Sequence, residues 1–111
     1  MDEIKINDFG DFGNWVNNTW SSSSSKNKIN VISPYFDKKI ATIPDSSSAD
    51  LDKVVNKARS AFYDWSNTNI RDRANIMSSF KSIIEKDIDS LASLIALDNG
   101  KTIADAKGSI L

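Results

Sequence analysis

The chain has 111 residues, 14 basic and 15 acidic, with a net charge of −1, 40% apolar content, and neither cysteine nor histidine. This length allows one domain at most, and the missing thiol and imidazole exclude metal–thiolate sites, cysteine nucleophiles and imidazole acid–base catalysis from these residues. The near-neutral balance argues against nucleic acid as a partner. No apolar run is long enough for a membrane span, and the start Met1-Asp2-Glu3 is unlike a basic or apolar targeting segment, so a cytoplasmic location is expected.

Residues 1–13 are read as a flexible N-terminus, and residues 14–44 as a region of β-hairpins. Asn17-Asn18, between Trp15-Val16 and Thr19-Trp20, suits a tight hairpin turn, because asparagine tolerates positive φ better than most residues. Ser21–Ser25 with Lys26-Asn27-Lys28 reads as a polar loop. Ile29–Ile32 and Lys39–Ile43 follow as two strands around a turn at Ser33–Lys38.

After Pro44 the apolar period changes from two to about 3.6, and residues 45–111 read as helical. Ser47 is a helix N-cap candidate, with Asp50 three residues later as an acidic capping-box partner. Leu51, Val54, Val55, Ala58, Ala61, Phe62 and Trp65 then form one stripe. A break at Ser66–Asn69 precedes a second helix, with Ile70, Ala74, Met77, Phe80, Ile83 and Ile84 expected on its buried side. Lys86-Asp87 marks a turn or kink before a third helix carrying Ile88, Leu91, Ala92 and Ile95. That helix should stop near Asp98-Asn99-Gly100, where glycine supplies a left-handed residue. Lys101–Leu111 reads as helical again, and the chain ends inside that helix.

The ordered set from Asn14 to Leu111 resembles the N-terminal segment of the aldehyde dehydrogenase superfamily. NWVNNTW (14–20) resembles the family's opening hairpin, and INVISPYFDKKIATIP (29–44) its strand, turn and strand ending at Val-Pro. DLDKVVNKARSAFYDW (50–65) is similar to the first long helix, with Ala-Phe-x-x-Trp at its end. Arg71 or Arg73 fits the arginine that opens the next helix. Asp98-Asn99-Gly100-Lys101, then Ala106-Lys107-Gly108, resembles a further family stretch. The departures are Ser33 for asparagine, Tyr35-Phe36-Asp37 where the family turn has Thr-Gly, and Ser109 for glutamate. The wording around Trp65 and Asn99 leans toward the methylmalonate-semialdehyde or succinate-semialdehyde branches.

The resemblance implies an α/β family fold of which this chain is the N-terminal piece: short β-hairpins followed by three to four α-helices, the helices belonging to a truncated NAD(P)-binding domain. It implies NAD(P)-dependent oxidation of an aldehyde through a cysteine nucleophile, with a glutamate that activates water and amide donors at the oxyanion. All of those groups lie beyond Leu111 in the family's layout. No catalytic or cofactor-binding residue is therefore assigned, and this chain is expected to be inactive alone and to bind neither NAD nor NADP. The expected partners are copies of itself or full-length dehydrogenase subunits, through the 14–20 hairpin. A small interaction or regulatory module built from the same segment is the alternative.

One site is implied within the chain, a monovalent cation held by the backbone oxygen of Ile32 and the carboxylate of Asp98. Such oxygen ligands suit a hard cation. A third ligand is missing, which favours Asp98 as a solvated charge at a helix end. Gly100-Lys101 is a poor phosphate loop without further glycines, and Arg71-Asp72-Arg73 reads as a helix-start charge patch before an anion site. The three tryptophans read as core or interface residues before a stacking platform. Helix stripes this apolar need a sheet or further helices over them, so exposed apolar faces are expected.

Overall fold

A computed structural model describes Ile6 and residues 8–111; the remainder of the 1–13 segment lies outside the described residues. The first paired elements are β1 (Asn14–Val16) and β2 (Thr19–Ser21), antiparallel with Trp15 opposite Trp20. Asn17 and Asn18 take φ of 53° and 58°, the two positive angles that a two-residue hairpin turn needs to match the twist of its strands.

A second antiparallel pair, β3 (Lys28–Ser33) and β4 (Lys38–Pro44), sets Ile29 opposite Ile43 and Val31 opposite Ala41. The register then shifts, since Ile32 faces Lys39 and Ile40 is left as the extra residue. A bulge of this kind breaks strict in–out alternation. Ile40, Ala41 and Thr42 are accordingly all buried, although they are consecutive. In the turn between the strands Asp37 adopts φ 52°, the left-handed conformation that aspartate tolerates better than most residues.

The other edge of β4 is covered from within the segment read as a flexible start. Phe9 N–H donates to the Ile40 carbonyl at 2.7 Å, Thr42 N–H to Gly10 at 3.0 Å, and Phe12 N–H to Thr42 at 2.9 Å, giving a short parallel pairing. Asp11 also accepts from the Thr42 hydroxyl and pairs with Lys28 at 2.5 Å. Two glycines in five residues concealed this strand-like stretch from a periodicity reading.

Four helices follow: α1 (Ser48–Asn67), α2 (Ile70–Lys86), α3 (Ile88–Asn99) and α4 (Ile103–Ile110). Ser47 and Asp50 form the full reciprocal capping box of α1. Asn69 caps α2 by accepting from Asp72 N–H, and Thr102 caps α4 by accepting from Asp105 N–H. Gly100 closes α3 at φ 71°, and a Cβ there would lie 3.2 Å from Pro34 Cγ. Only glycine combines that backbone angle with so close a neighbour at little cost.

The core sits where α3 packs against α4 on one side and the β3–β4 pair on the other. Ala92, Ala96, Leu97 and Ala106 are buried there with Ile40 and Ala41. Helices α1 and α2 bury none of their residues. The described structure measures 45 × 37 × 17 Å with a radius of gyration of 17.2 Å, against about 13 Å for a compact domain of this size. The excess follows from two long helices that lean on little else.

Candidate functional site

The strand β3 and the end of α3 are tied by one buried bond. Ser33 is fully buried, and its hydroxyl donates to the Leu97 carbonyl. That carbonyl lies in the last turn of α3, where helix carbonyls lose their intrahelical donors, so Ser33 supplies what the helix cannot. Ile32 and Asp98 flank the two bonded residues, and the fold thus brings the two sequence-selected positions to one corner. Asp98 is exposed, and its carboxylate accepts from Asn99 Nδ2 at 3.3 Å. Among the described residues no group of three or more acidic, histidine or cysteine side chains is placed to hold a metal. The corner offers one carboxylate and backbone oxygen.

Beside it an open apolar cleft of about 380 Å³ is lined by Phe9, Phe12, Ile40, Leu94 and Leu97, with Asp98 at its margin. It carries no polar group that could orient a substrate apart from Asp98. Sequence reasoning missed this cleft because part of its wall is Phe9 and Phe12, whose pairing with β4 carries no periodic signal.

A second polar cluster gathers on Asp50. Its carboxylate accepts from Ser23 Oγ at 2.6 Å, Ser24 N–H at 3.0 Å and Ser47 N–H at 2.9 Å. These donors, the Ser23 hydroxyl first and then the Ser24 and Ser47 amides, hold the carboxyl well below its ordinary value of 3.8. The serine run is therefore a strap that fixes the 21–27 loop to the start of α1. The carboxylate already occupies the helix terminus where an anion would bind.

The same logic disposes of Lys101 as a phosphate lysine. Lys101 Nζ donates to Ser109 Oγ at 3.0 Å, and Asp105, bonded to Thr102 Oγ1 at 2.8 Å, puts a carboxylate at the α4 terminus. Gly10, Gly13, Gly100 and Gly108 are scattered, and among the described residues no strand–glycine loop–helix unit cradles a dinucleotide. Among the described residues no helix is long and apolar enough to cross a membrane.

What stays open to partners is apolar. Trp15 and Trp20 are 57% and 56% exposed and stack edge to face at 5.1 Å, with the Phe12 ring 5.5 Å from Trp20. Along α1, Phe62 is 67% exposed, and along α2 Ile76, Met77, Phe80 and Ile83 are all exposed. The predicted stripes of α1 and α2 are present, and neither helix buries a residue among the described residues.

The described residues thus form two short antiparallel pairs followed by four helices, of which α1 and α2 bury none of their residues. Residues 20–111 match the aldehyde dehydrogenase family, and the chain belongs to it. It is 32% identical over 97 residues to malonate-semialdehyde dehydrogenase 1 of Shouchella clausii, covering 87% of this chain and 20% of that protein. Among solved structures it is similar to an NAD-dependent aldehyde dehydrogenase from Sinorhizobium meliloti, with a TM-score of 0.80, 28% identity, and coverage of 90% of this chain and 20% of the other. A mutant of aldehyde dehydrogenase C from Pseudomonas syringae, solved with NAD+ and octanal, aligns with a TM-score of 0.78 and 31% identity, covering 86% of this chain and 19% of the other. The chain spans about one-fifth of the length of the curated relatives it matches.

Proposed function

We propose that this chain is the N-terminal scaffold of an NAD(P)-dependent aldehyde dehydrogenase and is catalytically inert by itself. The observation that carries the reading is the pair of long helices that bury no residue, in a chain that matches one-fifth of its relatives. Its role is to present α1 and α2 as outer helices of the cofactor domain and the Trp15–Trp20 hairpin as an association surface. The relatives named for malonate semialdehyde support a short-chain semialdehyde as the substrate of the whole protein. The dinucleotide supplies the hydride acceptor when bound, and the groups that hold it and attack the aldehyde come from outside these residues. A cytoplasmic setting and association with dehydrogenase subunits belong to the same reading.

The test joins residues 1–111 to the remaining four-fifths of the Shouchella clausii enzyme. The chimera should reduce NAD+ in the presence of malonate semialdehyde, while the chain alone should produce no NADH. Turnover by the isolated chain, or a chimera that never folds, refutes the scaffold role.

A further inference from the structure

The sequence places Arg73 beside Arg71 in what reads as one charge patch, but the helix separates them. At about 100° per residue, Ile83, Ile76 and Phe80 lie to one side of Arg73 and Ile84, Met77 and Ile70 to the other, so Arg73 stands in the middle of the apolar half of α2. Arg71 falls on the polar half and is exposed. Arg73 is half-buried already, and its Nε is a buried donor with no hydrogen-bond partner. Among the described residues no carboxylate forms an ion pair with it.

An unpaired guanidinium at the centre of an apolar face is costly once that face is covered, unless the cover brings a countercharge. The planar fork of arginine is matched best by a carboxylate that accepts from Nε and a terminal nitrogen together. We infer that the α2 face docks onto a segment of the dehydrogenase fold outside these 111 residues, and that this segment carries a carboxylate which takes the Arg73 guanidinium at the centre of an apolar contact. Arg73 is thus the polar anchor that sets the register of α2 on its cover. The inference rests on the scaffold reading, and goes beyond it by naming the residue and the chemistry of its partner.

The experiment compares Arg73→Met and Arg73→Lys in two settings, the isolated chain and the chimera described above. In the isolated chain Arg73→Met removes an unpaired charge from an apolar face, so the melting temperature should hold or rise. In the chimera the same change strands the partner carboxylate, and the melting temperature should fall by roughly 5 °C or more. Arg73→Lys, which keeps the charge but loses the fork, should fall between wild type and Arg73→Met in the chimera. Opposite signs in the two settings support the anchor. An active chimera whose stability is unmoved by Arg73→Met, or a loss of equal size in both settings, overturns it. A wild-type chimera that stays unfolded instead overturns the scaffold reading.

Discussion

Replacing Ser33 with alanine tests the joint that holds strand to helix. The side chain is fully buried, and its hydroxyl is the donor to the Leu97 carbonyl at the end of α3. Ser33→Ala deletes one hydrogen bond and leaves a buried acceptor without a donor, a loss of about 1–2 kcal/mol. For a chain of this size that corresponds to a fall in Tm of roughly 5–15 °C. Thermal melts followed by far-UV circular dichroism measure it, with Ser60→Ala as the internal control. The Ser60 hydroxyl also bonds a helix carbonyl, that of Asn56 at 3.0 Å, but it is exposed, so water replaces it and the change should stay within about 0.5 kcal/mol. A Ser33→Ala variant that melts within a degree or two of wild type would show that the β3–α3 joint is not held by this bond.

Two further outcomes follow from the same packing. Asp50 has its carboxyl lowered in the folded chain, first by the Ser23 hydroxyl and then by the Ser24 and Ser47 amides, so folding favours the ionised form. That stability is present above the ordinary value of 3.8 and drains away as pH falls below it toward the folded value. Melts stepped from about pH 4 to pH 2 should therefore show a steeper decline in wild type than in Asp50→Asn, which keeps the contribution of the Asp11 carboxylate beside Lys28; parallel curves would exclude the serine strap as its source. In urea titrations Leu97→Ala, at a buried site, should cost about 2–5 kcal/mol, whereas Phe62→Ser, at a larger but exposed side chain, should change stability by less than about 0.5 kcal/mol. Equal losses would mean that α1 is packed in solution.

The helices were legible because their signals are local. Ser47 with Asp50, the stripe Leu51–Trp65, and Gly100 at a helix end each act within a few residues, and each takes its expected place. The Asn17-Asn18 hairpin was legible for the same reason. The Phe9–Phe12 pairing with β4 was not, since it joins segments about thirty residues apart by backbone bonds that carry no side-chain pattern. Nor was the strap from Ser23 and Ser24 to Asp50, in a loop whose composition reads only as polar.

For function the division is similar. Composition alone removed thiol and imidazole chemistry from these residues, and the ordered motifs alone pointed to the aldehyde dehydrogenase family. Tertiary structure decided which apolar residues are used within the chain and which are held out for something else. Ala92 and Ala61 are the same residue type on the helical stripes read from sequence, yet Ala92 is fully buried while Ala61 is exposed. It also left Arg73 half-buried while Arg71, two residues earlier, is exposed. Periodicity fixes the face a side chain belongs to, but burial depends on whether a second surface arrives at that face, and only the packed chain shows where none does.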